Sequence, residues 1–171
     1  MKELIKDKKI AIIDIETSGL YCGEKGKKDS SIIKVDALKI ENGHIGECYS
    51  SYVACDEKIS EPIAHLTGIN DETLKDAPAC KEVLKELKEF TDGYIIYTRN
   101  DNFVNRFLRF YSEKFEEEVN YAVSVKYDRI SETLNSPYIE GLLSIYNIEE
   151  EKLEVLTYAK LLLKMKEEGI F

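Results

Sequence analysis

Asp14 and Glu16 stand one residue apart in KKIAIIDIETSGLY at 8–21, where an apolar run gives out. In an extended chain residues i and i+2 point to the same face, so both carboxylates project together at the end of a buried strand. In an α/β sheet that end is a usual place for a site. Two adjacent carboxylates repel each other, and a hard divalent cation with oxygen ligands relieves the repulsion directly. The same pair could simply meet water as the strand leaves the core. The residues by themselves leave both readings open.

The elements that must hold these acids follow from patterning. Residues 8–15 read as a buried strand and 31–40, SIIKVDALKI, as a second. Asn42-Gly43 is the signal of a tight hairpin, returning the chain through a third strand at 45–53. Ser60, with Pro62 in the first turn, predicts a capped short helix. Residues 79–91 carry Val83, Leu84, Leu87 and Phe90 on one face, and Gly93 stops them. A short apolar strand follows at 94–97, then a long helix from Asp101 or Asn102 to about Glu118, with Phe107, Leu108, Tyr111 and Phe115 on one face. Residues 121–125 are expected to form a last strand. Ser136-Pro137 opens a helix ending by Asn147, and a final helix is expected over 148–167. The order β-β-β-α-β-α-β-α-α gives a mixed sheet flanked by helices.

The chain has 171 residues, 43% of them hydrophobic and 33% charged, which fits one soluble folded domain over 1–171 with a proper core. Its apolar runs are too short to span a bilayer, so no membrane partner is expected. The opening MKELIKDKK lacks the apolar stretch of a signal peptide, and the expected location is cytoplasmic. Cys22, Cys48, Cys55 and Cys80 form no CxxC pair and no cluster with histidine, so they read as free thiols rather than a zinc or disulfide framework. The net charge of −9 argues against nucleic-acid binding through a broad basic surface, but not against an enzyme that takes a strand end through bound metal. Lys25, Lys27 and Lys28 make one basic knot after the opening motif.

Phosphatases of the haloacid-dehalogenase type also place an acid pair, DxDxT, after an apolar strand. Here the second acid is Glu, and no late acid pair follows a strand. A better match lies elsewhere. DIETSGL at 14–20 resembles the first motif, DxETTGL, of DEDD-type (DEDDh) 3′–5′ exonucleases, in particular the proofreading subunit or domain of bacterial DNA polymerase III. IIKVDALKIENGHI at 32–45 is similar to that family's IIEIGAVKIENGKI, and PIAHLTGINDETLKDAP at 62–78 to its ELTGIT-D-LKDAP stretch. The resemblance implies a ribonuclease-H-like α/β fold with a mixed five-stranded sheet, its three N-terminal strands antiparallel, flanked by helices. It implies magnesium or manganese ions and hydrolysis of a terminal phosphodiester. It implies that Asp14 and Glu16 hold metal, and that Thr17, with Ser18, Leu20, Asn100 and Phe103, meets the terminal nucleotide.

The family's second motif, HNxxFDxxFL, aligns with RNDNFVNRFL at 99–108. Arg99 takes the histidine position and Asn100 matches the asparagine. Phe103, Phe107 and Leu108 fix the register, which puts Val104 where the family has its acid. Valine has no lone pair for a metal or a metal-bound water. It shares a helical face with Phe107, Leu108 and Tyr111 and so extends the core stripe. Asp101 could reach toward the site as a substitute, or cap the helix. In the third motif, HxxxxD, YAKLLLKM at 158–165 aligns with the family's TAELLLKL ending and puts Glu154 at the metal-binding acid and Glu149 at the base. Glu149 beside metals would be held ionised, with little basicity; equally, Glu149, Glu150 and Glu151 complement a helix N-terminus, with Asn147 and Glu150 as a capping pair. Neither His44 nor His65 aligns with the base. Lys34 stands for a usual Glu, and Asp36 for a usual Gly.

The expectation is therefore an exonuclease-fold protein that acts on or binds single-stranded DNA or RNA 3′ ends through Asp14, Glu16 and Glu154. It would hold one magnesium or manganese ion rather than two and have reduced or lost hydrolysis. The alternatives are an active exonuclease with a remodelled site, and a protein-binding module on the same fold. A polymerase or another protein is a further possible partner.

Overall fold

The computed structural model describes residues 9–116, 123–124, 143–144, 146–149, 151 and 153–167. Five strands form one sheet: β1 (Ile10–Thr17), β2 (Ile32–Glu41), β3 (His44–Tyr52), β4 (Ile95–Thr98) and β5 (Val123–Ser124), in the order β3-β2-β1-β4-β5. β1 pairs antiparallel with β2 and β2 with β3; β1–β4 and β4–β5 are parallel. The mixed sheet with an antiparallel start is the expected one. Asn42 and Gly43 both take positive φ, 51° and 80°, as a tight hairpin requires.

The helices described in full are α1 (Glu61–Thr67), α2 (Asp71–Leu74), α3 (Cys80–Thr91), α4 (Asp101–Phe115) and α5 (Glu154–Glu167). Ser60 is the N-cap residue of α1, but its side chain makes no capping bond, contrary to expectation. α2 was not anticipated: a single turn closed by reciprocal bonds between Asn70 and Thr73. At α4 the cap is Asn100, whose side chain accepts from Phe103 N at 3.1 Å. Asp101, the expected capping acid, only accepts from the adjacent Asn102 N. The final helix starts at Glu154 rather than 148. The helix expected over 136–147 and the capping partner Glu150 lie mostly outside the described residues.

The alternation of β1 and β2 divides the core in two. Odd-numbered Ile13, Ile15, Val35 and Ala37 face α3 and α4, meeting Val83, Leu84, Leu87, Val104, Phe107, Leu108 and Tyr111. Even-numbered Ile10, Ile12, Leu38 and Ile40 face α5, meeting Val155, Tyr158, Ala159, Leu162 and Met165. Each helix offers a stripe at i, i+3, i+4, i+7 spacing, which is why each lies flat on its face of the sheet. Continuing the even series along β1 leads from Ile12 to Asp14 and Glu16. The acids thus end the α5 face, where the apolar packing runs out.

Candidate active site

Three carboxylates meet at that end. One oxygen from each of Asp14, Glu16 and Glu154 lies within 4.8 Å of the others; Asp14 and Glu16 are half-buried and Glu154 is exposed. The first two come from one face of β1. The third comes from the first residue of α5, directly before the Val155 that begins the buried stripe. Packing α5 on Ile10 and Ile12 therefore delivers Glu154 to the strand acids.

Crowding of like charge sets the electrostatics. Burial, then the charges of Glu154 and Glu16, push Asp14 up to about 7. Glu16 is also raised, first by burial and then by Glu154, with Lys34 acting in the opposite sense. A carboxyl that holds its proton near neutrality because of burial and like-charged neighbours is one from which a divalent cation displaces that proton. Three convergent carboxylate oxygens suit a hard ion such as Mg²⁺ or Mn²⁺. Asp14, Glu16 and Glu154 are the residues that would hold it.

Polar residues flank the cluster on two sides. Across the β1–β2 ladder, Asp14 faces Asp36 and Glu16 faces Lys34. Lys34 Nζ bonds Asp36 Oδ2 at 2.6 Å, and Ser50 Oγ donates to Asp36 Oδ1 at 2.6 Å. A buried acid is thus held one strand away, with its own cation. On the other side the Tyr158 hydroxyl donates to Glu154 Oε2 at 2.6 Å, and Arg99 Nη1 donates to that hydroxyl at 3.3 Å. Burial and the Glu154 carboxylate both push the Tyr158 phenol up, so it stays a donor. The sequence reading placed none of these around the acids. Tyr158 was visible in principle, one helical turn after Glu154, and Lys34 and Asp36 share one face of β2.

The remaining expected positions are distributed differently. Val104 is 1% exposed, inside the α4-side core with Ile13 and Phe107. Asp101 is not among the three converging acids. Nor is Glu149, which lines a cleft of about 450 Å³ with Tyr146, Glu151, Lys160 and Lys164. Thr17 is buried and its hydroxyl donates to Gly19 O at 2.6 Å. Ser18 Oγ donates to Glu57 Oε1 at 2.6 Å and accepts from Ser31 N at 2.8 Å. Leu20 is 63% exposed, whereas Phe103 packs against Phe107 with ring centroids 4.9 Å apart. Asn100 is occupied as the α4 cap. In the basic knot, Lys28 pairs with Glu57 at 2.7 Å and Lys27 lies over the Tyr21 ring.

Neither histidine stands at the acids. His44 pairs with Glu41 at the hairpin end of β3, six residues from Ser50, or roughly 20 Å along the strand. His65 is exposed in the last turn of α1. The four cysteines are free thiols. No helix among the described residues is long and apolar enough to cross a membrane.

The exonuclease family model RNase_T matches residues 11–137. Among curated proteins, the PolC-type DNA polymerase III of Staphylococcus aureus (strain bovine RF122 / ET3-1) is 28% identical over 98% of this chain, which spans 12% of that polymerase's length. Among solved structures, the nuclease domain of 3′hExo, a DEDDh family member bound to rAMP, superposes with a TM-score of 0.75. That match has 16% identity over 95% of this chain and 94% of the other. A product-bound exonuclease I reaches a TM-score of 0.78 at 14% identity, over 94% of this chain and 44% of its own. At such identities the structures speak to the fold.

Proposed function

This chain belongs to the exonuclease family whose model spans residues 11–137, in its DEDD-type branch resembling the polymerase III proofreading domain, and from that premise we propose a protein that engages nucleic-acid 3′ ends at a reduced metal seat. The proposal takes 1–171 as one exonuclease-like domain in which Asp14, Glu16 and Glu154 hold one Mg²⁺ or Mn²⁺, and hydrolysis is weak or lost. The observation that carries it is Val104. The position that the family's second motif gives to an acid is filled by a side chain sealed into the core.

A divalent ion bound to such acids supplies Lewis-acid polarisation of a phosphoryl oxygen and a more acidic water. The chain's own part is narrower. Asp14, whose carboxyl is raised to about 7, would release its proton to water when a cation enters, Tyr158 keeps Glu154 turned inward, and exposed Leu20 offers an apolar surface to a terminal base. Among the described residues no imidazole stands near the acids to take a proton from water. Glu149 faces a cleft with two lysines instead. Compared with a site of four acids and a base, losing one acid together with the base should cost well over the roughly 10–100-fold typical of a lost supporting contact.

The retained three-carboxylate cluster favours a second reading, an active exonuclease with a remodelled site. The test is incubation of the full chain with 3′-labelled single-stranded DNA and RNA, in Mg²⁺ and then Mn²⁺, beside Asp14→Ala. The proposal expects metal-dependent retention of the labelled strand with little shortening, both abolished in the variant. Rapid shortening that depends on Asp14 would establish the second reading. No retention of either strand would leave the protein-binding module.

A further inference from the structure

Glu154 is the exposed member of the three-acid cluster and the one that comes from a helix rather than from β1. A free glutamate at a helix start, facing two half-buried carboxylates, should swing out to water: repulsion drives it away and rotamer entropy favours release. The structure holds it in. Tyr158 lies one turn further along α5, on the same side, and its hydroxyl donates to Glu154 Oε2 at 2.6 Å. Tyr158 is itself 5% exposed, fixed among Ile12, Leu38 and Val155, so its hydroxyl is a donor with little freedom to turn away. Arg99, directly after β4 and 59 positions from Tyr158 in sequence, donates to the same hydroxyl at 3.3 Å. That contact ties the α5 terminus to the end of a neighbouring strand.

We infer that Arg99 and Tyr158 form a positioning chain that holds the Glu154 carboxylate in the cation seat. The inference rests on the reading of Asp14, Glu16 and Glu154 as that seat. It also explains how a glutamate can serve where a shorter acid is expected. The extra methylene adds a rotatable bond, and the tyrosine hydroxyl removes the freedom it brings. The rival account is that Tyr158 is a core residue whose hydroxyl merely found a nearby acceptor. A double-mutant cycle separates the two, because only the positioning role acts through Glu154.

The measurement is Mn²⁺ titration of the full chain without nucleic acid, following free Mn²⁺ by electron paramagnetic resonance. The proteins are wild type, Tyr158→Phe, Glu154→Gln, the double variant and Asp14→Ala, each first shown to be folded by circular dichroism. Tyr158→Phe should weaken Mn²⁺ binding by about 10-fold, the scale of a lost contact to a metal-binding side chain. In the Glu154→Gln background it should cause no further loss. Arg99→Met should weaken binding in the same direction by less, and only while Tyr158 is present. Because Arg99 is exposed, that variant carries the cycle if Tyr158→Phe does not fold. Unchanged affinity in Tyr158→Phe, with binding still abolished by Asp14→Ala, would overturn the positioning chain and leave the seat standing. Equal losses in both backgrounds would also overturn it. A wild type that binds no more Mn²⁺ than Asp14→Ala would remove the seat and the chain together.

Discussion

Helices α4 and α5 lie on opposite faces of the same sheet, and the proposed motif register puts an acidic position near the N-terminus of each. On α5 that position still carries a carboxylate; on α4 it carries valine. The stripes explain the difference. Val104 is the first member of its own stripe, 104, 107, 108 and 111, so an apolar residue there joins Ile13 and Phe107 in the core. Fully burying a valine contributes about 2 kcal/mol. Glu154 stands one residue before its stripe, which begins at Val155, and an apolar residue there would face water and two carboxylates. Loss of the acid is rewarded by packing on one face and not on the other. On the proposed reading, a site built at the edge of two cores loses an acid on one side while the other side keeps its charge.

Restoring the acid attacks this comparison most directly. Val104→Asp should destabilise the protein by about 3 kcal/mol in urea unfolding, the scale of burying a polar group without a partner. If the loss is within a few tenths of a kcal/mol, position 104 is not sealed and the contrast fails. Asp14→Asn tests the other face. A carboxyl raised to about 7 in the folded chain, against 3.8 as its ordinary value, contributes stability that is fully present below about pH 4 and lost as pH rises through 7. Without added metal, the wild type should weaken between pH 5 and 8 relative to Asp14→Asn, by on the order of 2 kcal/mol. Parallel pH profiles for the two proteins would show that the acids are not crowded. Asn100→Ala gives the smallest effect: loss of the α4 cap should cost about 1 kcal/mol. Mn²⁺ affinity should not change, since α4 then serves packing alone; a parallel fall in affinity would give α4 a part in the seat.

Much of the fold was legible because it is local. The hairpin followed from Asn42-Gly43, the burial of β1 from its apolar run, and the faces of α3 and α4 from their spacing. Caps were less legible. Ser60 makes no side-chain bond and Asn100 rather than Asp101 holds α4, because several polar residues in a row can each fill that role and local geometry selects among them. For the site, the shared face of Asp14 and Glu16 was readable from a two-residue period, and the burial of Val104 from the spacing of its helical stripe. Glu149 was placed by counting along a motif, and in the fold it lines a cleft with Lys160 and Lys164 and is not among the three converging acids.

Sequence alone determined that two acids share one strand face and that position 104 cannot hold a metal, since side-chain direction and atom type follow from local periodicity and chemistry. Motif resemblance assigned Glu154 to the same seat, but the sequence carried no geometry for bringing it to Asp14, 140 positions away, nor could it supply Tyr158 and Arg99 around it, or set Lys34 and Asp36 across the ladder. Those juxtapositions arise only when α5 docks on the even face of β1 and β2, because proximity between distant residues comes from packed surfaces and strand register, which no single segment carries.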